Sequence, residues 1–352
     1  MQLYYYANHI YQLSYSIPLY LRQGGTYLLN RYSRLIPFHR YLRGLQPIGK
    51  QGKKSLPPVK IINPDHLSLK DALILSHSNH HLQGGKDVIR VFIGHGTGDK
   101  PYGGNRITAE NLLNYEYIFI SGPKHLARLK DAGVTIPEER LVKIGNMRFD
   151  DYVNGLINKT AVMDHLGIID RSRKNILYAP TWRFGKGSLK KCFYHFARQI
   201  TKEHNLIVRP HHHETKHIPF LRLWARFNGI RHLYFSNSSD LAKNDTMFDF
   251  AISDLLISDT SSVLYEYLIT GNPIIVVDTG YTKLQKMPDE MNILTITDSY
   301  GHHNDILELI NKNLADRCRS DEYQTMLSAC FYFNDGKSTE RAEKFIKKFR
   351  EL

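Results

Sequence analysis

The run Leu255-Leu256-Ile257-Ser258-Asp259-Thr260-Ser261-Ser262 passes from three aliphatic residues directly into five polar ones. A short, continuous aliphatic run is the mark of a strand covered on both faces, as in a parallel sheet. Residues 263–270 then suit a short helix that ends at Gly271, and Asn272-Pro273 opens the next aliphatic run, 273–277. Strand, polar turn, helix and strand make one βαβ unit. Hydroxyls and a carboxylate at the helix start cap its first N–H groups, and those left over can hold an anion. Capping needs one or two such residues. Five in succession, Ser258, Asp259, Thr260, Ser261 and Ser262, read as a diphosphate site.

The same alternation extends through most of the chain. Strand-length aliphatic runs lie at 88–93, 117–120, 141–144, 176–179 and 206–208, with weaker candidates at 60–62, 232–235 and 293–296. Between them, 109–114, 125–131 and 189–203 have the length and pattern of crossover helices. This is a doubly wound α/β signature, and it occurs twice. The break falls within 150–175, where 150–167 reads as helical and the basic stretch 171–174 precedes a fresh strand. The expected division is a basic, tyrosine-rich amphipathic segment at 1–55, a Rossmann-like acceptor domain at 56–165 and a Rossmann-like nucleotide-donor domain at 166–335. A charged helix at 336–352, with Ala342, Phe345, Ile346 and Phe349 on one face, packs back across the domains.

At 352 residues the chain has room for two cores. Its net charge of +13 is uneven: the first 60 residues hold nine Lys/Arg and no Asp or Glu, and the remainder is nearly balanced. The excess therefore does not describe a nucleic-acid groove running through the protein. The first segment also holds nine of the 22 tyrosines. Residues 1–21 are uncharged, yet Tyr, Gln, Asn, Ser and Pro18 interrupt them too often for a membrane-spanning helix. No basic residue precedes the stretch and no small-residue cleavage site closes it, so it does not read as a signal peptide. Leu28, Leu29, Tyr32, Leu35 and Ile36 recur at helical spacing beside Arg31 and Arg34. That pattern fits either the headgroup layer of an anionic membrane or a helix packed on the first domain. Cys192, Cys318 and Cys330 have no paired spacing, which fits a reducing compartment and gives no disulfide framework or cysteine metal cage. The expected location is cytoplasmic, peripheral at the inner face of the plasma membrane.

Three further loops carry chemistry. Gly94-His95-Gly96-Thr97-Gly98-Asp99-Lys100 follows the run 88–93, where ligands of open α/β sheets bind. Glycines around His95 allow a sharp turn and close approach of substrate, and its imidazole can accept a hydroxyl proton near neutral pH. In Tyr178-Ala179-Pro180-Thr181-Trp182-Arg183, Thr181 and Arg183 can meet phosphate, while Trp182 reads equally as cleft or core. In Val208-Arg209-Pro210-His211-His212-His213-Glu214 the three histidines invite a metal. Neighbours in an extended segment point to opposite faces, however, so no metal site is expected. His211 beside Arg209 reads instead as a phosphate ligand, and His80-His81 and His302-His303 as surface pairs.

In this order the four loops resemble the CDP-glycerol glycerophosphotransferase family, whose members make polyol-phosphate units and polymers of teichoic acids and related capsules. The resemblance rests on His95-Gly96-Thr97, on Ala179-Pro180-Thr181-Trp182-Arg183, on Arg209 with His211, and on Ser258-Asp259 followed by Ser261-Ser262. It covers residues 88 to 280 by motif order. It implies two Rossmann-like domains facing a central cleft in the manner of a GT-B glycosyltransferase. It also implies His95 as general base, with His211, Ser261 and Ser262 holding the donor pyrophosphate. The family commonly has His-Pro at the second histidine, whereas this chain has Pro210-His211-His212, which leaves His211 and His212 both open.

The expected reaction moves a glycerol-phosphate or similar unit from CDP-glycerol to a hydroxyl of a lipid-linked or polymeric glycan, releasing CMP. No cofactor follows from the sequence, and Mg2+ is compatible with it. The rivals are a GT-B glycosyltransferase using a nucleotide sugar, and, more distantly, a nucleotide-sugar 2-epimerase. The expected partners are the donor, the acceptor and an anionic membrane met through 1–55, with no nucleic acid.

Overall fold

The computed structural model describes residues 1–44, 58–79, 82–94, 96, 98, 109–182, 187–281, 286–301, 303–316 and 319–350. Two all-parallel sheets organise them. The first runs β3-β2-β1-β4-β5-β6-β7. Its strands are β1 Gln2–Tyr6, β2 Thr26–Leu29, β3 Val59–Ile61, β4 Leu67–Ser76, β5 Gly84–Phe92, β6 Tyr117–Ile120 and β7 Leu141–Lys143. The second runs β10-β9-β8-β11-β12-β13. Its strands are β8 Asn175–Ala179, β9 Asn205–Val208, β10 Leu233–Phe235, β11 Leu255–Ser258, β12 Ile274–Val277 and β13 Asp298–Tyr300. Every residue of β8, β9, β11 and β12 is buried, as parallel strands covered by helices on both faces require.

The N-terminal segment differs from the expectation. It is no separate amphipathic helical region: β1 lies inside the first sheet, in register with β2 on one side and β4 on the other. Tyr4, Tyr5, Tyr6 and Tyr27 are buried. Their rings fill the core while hydroxyls find partners, Tyr5 Oη donating to the Gly24 carbonyl at 3.1 Å. Tyrosine here serves as a large core residue, which is why an aromatic count misread it. The helical spacing at 28–36 is divided between β2, a turn at Tyr32–Arg34 and the helix Leu35–Gly44.

Two smaller corrections follow from strand chemistry. β4 is absent from the aliphatic runs because Lys70 and Asp71 interrupt it. The expected strand at 293–296 is a single helical turn, Ile293–Thr295. The true edge strand, β13, pairs on one side only and is polar.

The chain leaves the first sheet after β7 and returns through the helix Ser320–Cys330 to a final helix, Ser338–Arg350. The two crossings meet at Asp150, whose carboxylate accepts from the backbone N–H of Ser338 (3.0 Å) and Thr339 (2.7 Å). It thereby caps the final helix from a distant part of the chain. That helix packs on the first core, Phe345 meeting Tyr117 and Phe119 edge-on at 5.0 and 5.4 Å. Cys192 and Cys330 are both buried; Cys318 lies outside the described residues.

Candidate active site

Parallel strand order reverses between β8 and β11 in the second sheet and between β1 and β4 in the first. Loops diverge at such switch points and leave a crevice at the strand ends. Here the two crevices face each other across a cavity of about 420 Å³. The second sheet contributes Pro180, Trp182, His211, His212, His213, Ser261 and Ser262; the first contributes His9, Tyr11 and Tyr15.

The polar turn after β11 divides its labour. Ser258 is fully buried and donates to the Ala179 carbonyl at 2.7 Å. Asp259, 1% exposed, accepts from the N–H of Thr181 (2.9 Å) and Thr260 (2.8 Å) with one oxygen. Its other oxygen accepts from the N–H and hydroxyl of Ser188, both at 2.9 Å. Burial nevertheless holds its carboxyl pKa above the usual range. These contacts make Ser258, Asp259 and the Thr181 backbone a brace that fixes the Ala179–Trp182 loop, and a carboxylate there would repel phosphate. Thr260 turns toward a second cavity beside Asp278 and Tyr281. Ser261 and Ser262 alone of the five line the main cavity.

Arg209 was expected on phosphate. It lines the cavity but is 6% exposed, and its Nη1 bonds Asp249 (2.8 Å), Ser236 (3.0 Å) and the Asn244 carbonyl (2.7 Å). It ties the loops after β9 and β10 together, its charge matched by a buried carboxylate.

The three histidines are not extended, so the geometric argument against their convergence fails. Residues 212–214 form a turn. The ring of His212 lies 4.1 Å from His211 and 4.0 Å from His213, and ring nitrogens of all three fall within 4.8 Å. The three rings form one cluster, tilted 34°, 38° and 47° to one another. Trp182 continues it on one side, 4.8 Å from His213 and 6.0 Å from His211. Tyr11 of the first domain continues it on the other, 5.2 Å from His212, with His9 beyond at 5.5 Å. Burial, then the neighbouring His213 and His9, lowers the His212 pKa to about 4.

The glycine loop reaches the serine turn. A Cβ on Gly96, whose φ is +128°, would lie 3.3 Å from Ser262 Oγ, and one on Gly98 would lie 2.9 Å from Ser262 N. Buried His77 steadies the loop's start, its Nδ1 donating to the Gly94 carbonyl at 2.8 Å. His95, Thr97, Asp99, Lys100 and Arg183 lie outside the described residues, as do His80, His81 and His302.

Sequence reasoning missed the cavity floor. Arg148, just past β7, reaches Glu266 (2.6 Å) and Asp245 (3.0 Å) in the second domain, and Tyr15 Oη donates to Glu266 at 2.7 Å. The one available signal was the position of Glu266, four residues after Ser262 and so on the same helix face.

The model of the CDP-glycerol:poly(glycerophosphate) glycerophosphotransferase family matches residues 91–348. Among curated relatives, the teichoic acid ribitol-phosphate polymerase TarK of Staphylococcus aureus is 29% identical over 70% of this chain and 48% of its own length. The teichoic acid glycerol-phosphate primase of Bacillus subtilis is 30% identical over 46% of this chain and 39% of its own. The chain thus spans 39–60% of the length of the curated relatives it matches. The structure of the wall teichoic acid polymerase TagF superposes with a TM-score of 0.65 at 15% identity, covering 99% of this chain and 88% of that one. UDP-GlcNAc 2-epimerase from Neisseria meningitidis gives 0.58 at 12%, covering 99% and 100%, so the two-sheet fold is shared beyond one chemistry. With a family model matched over most of its length, the chain belongs to the CDP-glycerol:poly(glycerophosphate) glycerophosphotransferase family.

Proposed function

We propose that the chain transfers glycerol phosphate, or a related polyol phosphate, from a CDP-activated donor to a hydroxyl of a lipid-linked or polymeric glycan, releasing CMP. The observation that carries the reading is the contact of Gly96 and Gly98 with Ser262, which brings the loop containing His95 in sequence against the serine turn. The second domain holds the donor, its diphosphate between Ser261, Ser262 and the His211–His212 pair. The acceptor enters from the first-domain side. His95 takes the proton as the acceptor oxygen bonds to the β-phosphorus, and the bond from that phosphorus to CMP breaks. The protein contributes positioning and charge stabilisation. An acceptor of this kind places the work at the inner face of the plasma membrane. Exposed Tyr32 and Ile36, with Arg31, Arg40 and Arg43 beside them, support contact with anionic headgroups there.

The test is His95→Ala, read as CMP release in parallel with donor affinity. Turnover should fall by about 10²–10⁴, the range for a lost general base, with donor affinity within about twofold. Collapse of donor affinity with the chemical step intact would remove His95 from this role.

A further inference from the structure

The helix Ile218–Phe227, which carries the chain from β9 to β10, is apolar on two opposite faces. Ile218 and Leu221 enter the second core. On the far side Phe220, Leu223 and Phe227 are 60%, 52% and 81% exposed. At 3.6 residues per turn these three fall within an arc of roughly 60°, so they form one stripe along the helix. Isolated apolar residues on a surface need no explanation, but an aligned set covering a helix face does.

The charge along the chain that carries the stripe has a single sign. Residues 215–239 contain Lys216, Arg222, Arg226 and Arg231 and no Asp or Glu. All four are exposed. The adjoining helix Leu189–Ile200 packs alongside through Phe193 and Tyr194, 5.7 and 4.7 Å from Trp224. It adds exposed Lys190, Lys191 and Arg198, and residues 187–202 also lack any acidic side chain. Glu214, at the near end, is taken by His217 at 3.2 Å. A second copy of the chain would set this basic face against itself. An anionic bilayer answers both features, with acyl chains for the stripe and phosphates for its flanks.

We propose that Phe220, Leu223 and Phe227 are a membrane-docking stripe that seats in the headgroup layer of an anionic membrane, with Lys216, Arg222, Arg226 and Arg231 on the lipid phosphates. The position matters for the cleft. Only Glu214–His217 separate the helix from His213, and Thr215 Oγ1 donates to the His212 carbonyl at 3.0 Å. A docked stripe therefore holds the histidine side of the cavity beside the lipid surface, which lets a lipid-linked acceptor reach it without leaving the membrane. This purpose rests on the acceptor reading above; the docking itself does not.

The test uses the full chain in co-sedimentation with vesicles of phosphatidylglycerol and phosphatidylcholine, against phosphatidylcholine alone. Phe220→Ser/Leu223→Ser/Phe227→Ser is compared with Arg222→Glu/Arg226→Glu and with Tyr32→Ser/Ile36→Ser, and each variant is checked for its CDP-glycerol thermal shift. Anionic vesicles should bind the wild type, and the first two variants should bind them about tenfold or more weakly with the donor shift retained. Stripe variants that sediment like wild type overturn the proposal. So do loss confined to the Tyr32/Ile36 variant, equal binding to neutral vesicles, a change only in oligomeric state, or salt-sensitive RNA binding in place of vesicle binding. Stripe-dependent docking without a CDP-glycerol shift leaves docking standing and removes the donor reading.

Discussion

His212 shows how far a single side chain's surroundings decide its use. Packed between His211, His213 and Tyr11, it has a pKa near 4 against 6.5 for a free imidazole. Above about pH 6.5 this histidine is largely unprotonated in both the folded and the unfolded chain, so it adds little pH dependence to stability there. As pH falls from about 6.5 toward 4, the unfolded chain takes up a proton that folded His212 refuses, and stability declines through that window. His212→Phe keeps a ring in the cluster without a titrating group, and urea denaturation of the variant should show a shallower loss between those pH values. Identical slopes would mean that His212 is not the group responsible. Arg209 and Asp259 make a related point. Both have the chemistry of phosphate-site residues in the sequence, yet each is bound by buried partners and acts by holding loops.

At the scale of elements, the glycine loop and the serine turn are the two parts whose meeting makes the cleft. An alanine methyl at Gly98 would sit 2.9 Å from Ser262 N and 3.1 Å from Ser262 Cα, both backbone atoms that cannot rotate away. Gly98→Ala should therefore separate loop and turn. Turnover should fall by about 10²-fold, as for a misplacement near 1 Å, with little loss of thermal stability. Full activity in the alanine variant would show that the loop is free to sit elsewhere. The ease of reading the elements followed their composition. β8, β9, β11 and β12 are continuous buried runs, and the second domain's half of the site was legible from the polar residues that end them. β1 and β2 hide their strand character in tyrosines, and β4 is broken by Lys70-Asp71. His9, Tyr11 and Tyr15 follow β1, so misreading that strand also hid the first-domain wall of the cavity. Proximity across the cleft leaves no pattern in the sequence.

For the whole molecule, the central feature is that neither domain holds the cavity alone. Arg148 joins the halves beneath it, with its side chain 6% exposed and Glu266's 2% exposed. Removing a guanidinium from two buried or half-buried carboxylates leaves uncompensated charge, so Arg148→Met should cost about 3–5 kcal/mol in urea denaturation. A loss under about 1 kcal/mol would mean that the pair contributes no more than a surface contact. The most direct test of the whole account is the thermal stability of the chain with CMP, CDP, CDP-glycerol, CDP-ribitol, UDP, GDP and UDP-GlcNAc. A ligand at about a hundred times its dissociation constant adds roughly 2.7 kcal/mol, an easily measured shift. The account predicts stabilisation by the cytidine compounds and none by the uridine or guanosine ones. Selective stabilisation by UDP, UDP-GlcNAc or GDP would contradict it and make the cavity a nucleotide-sugar site.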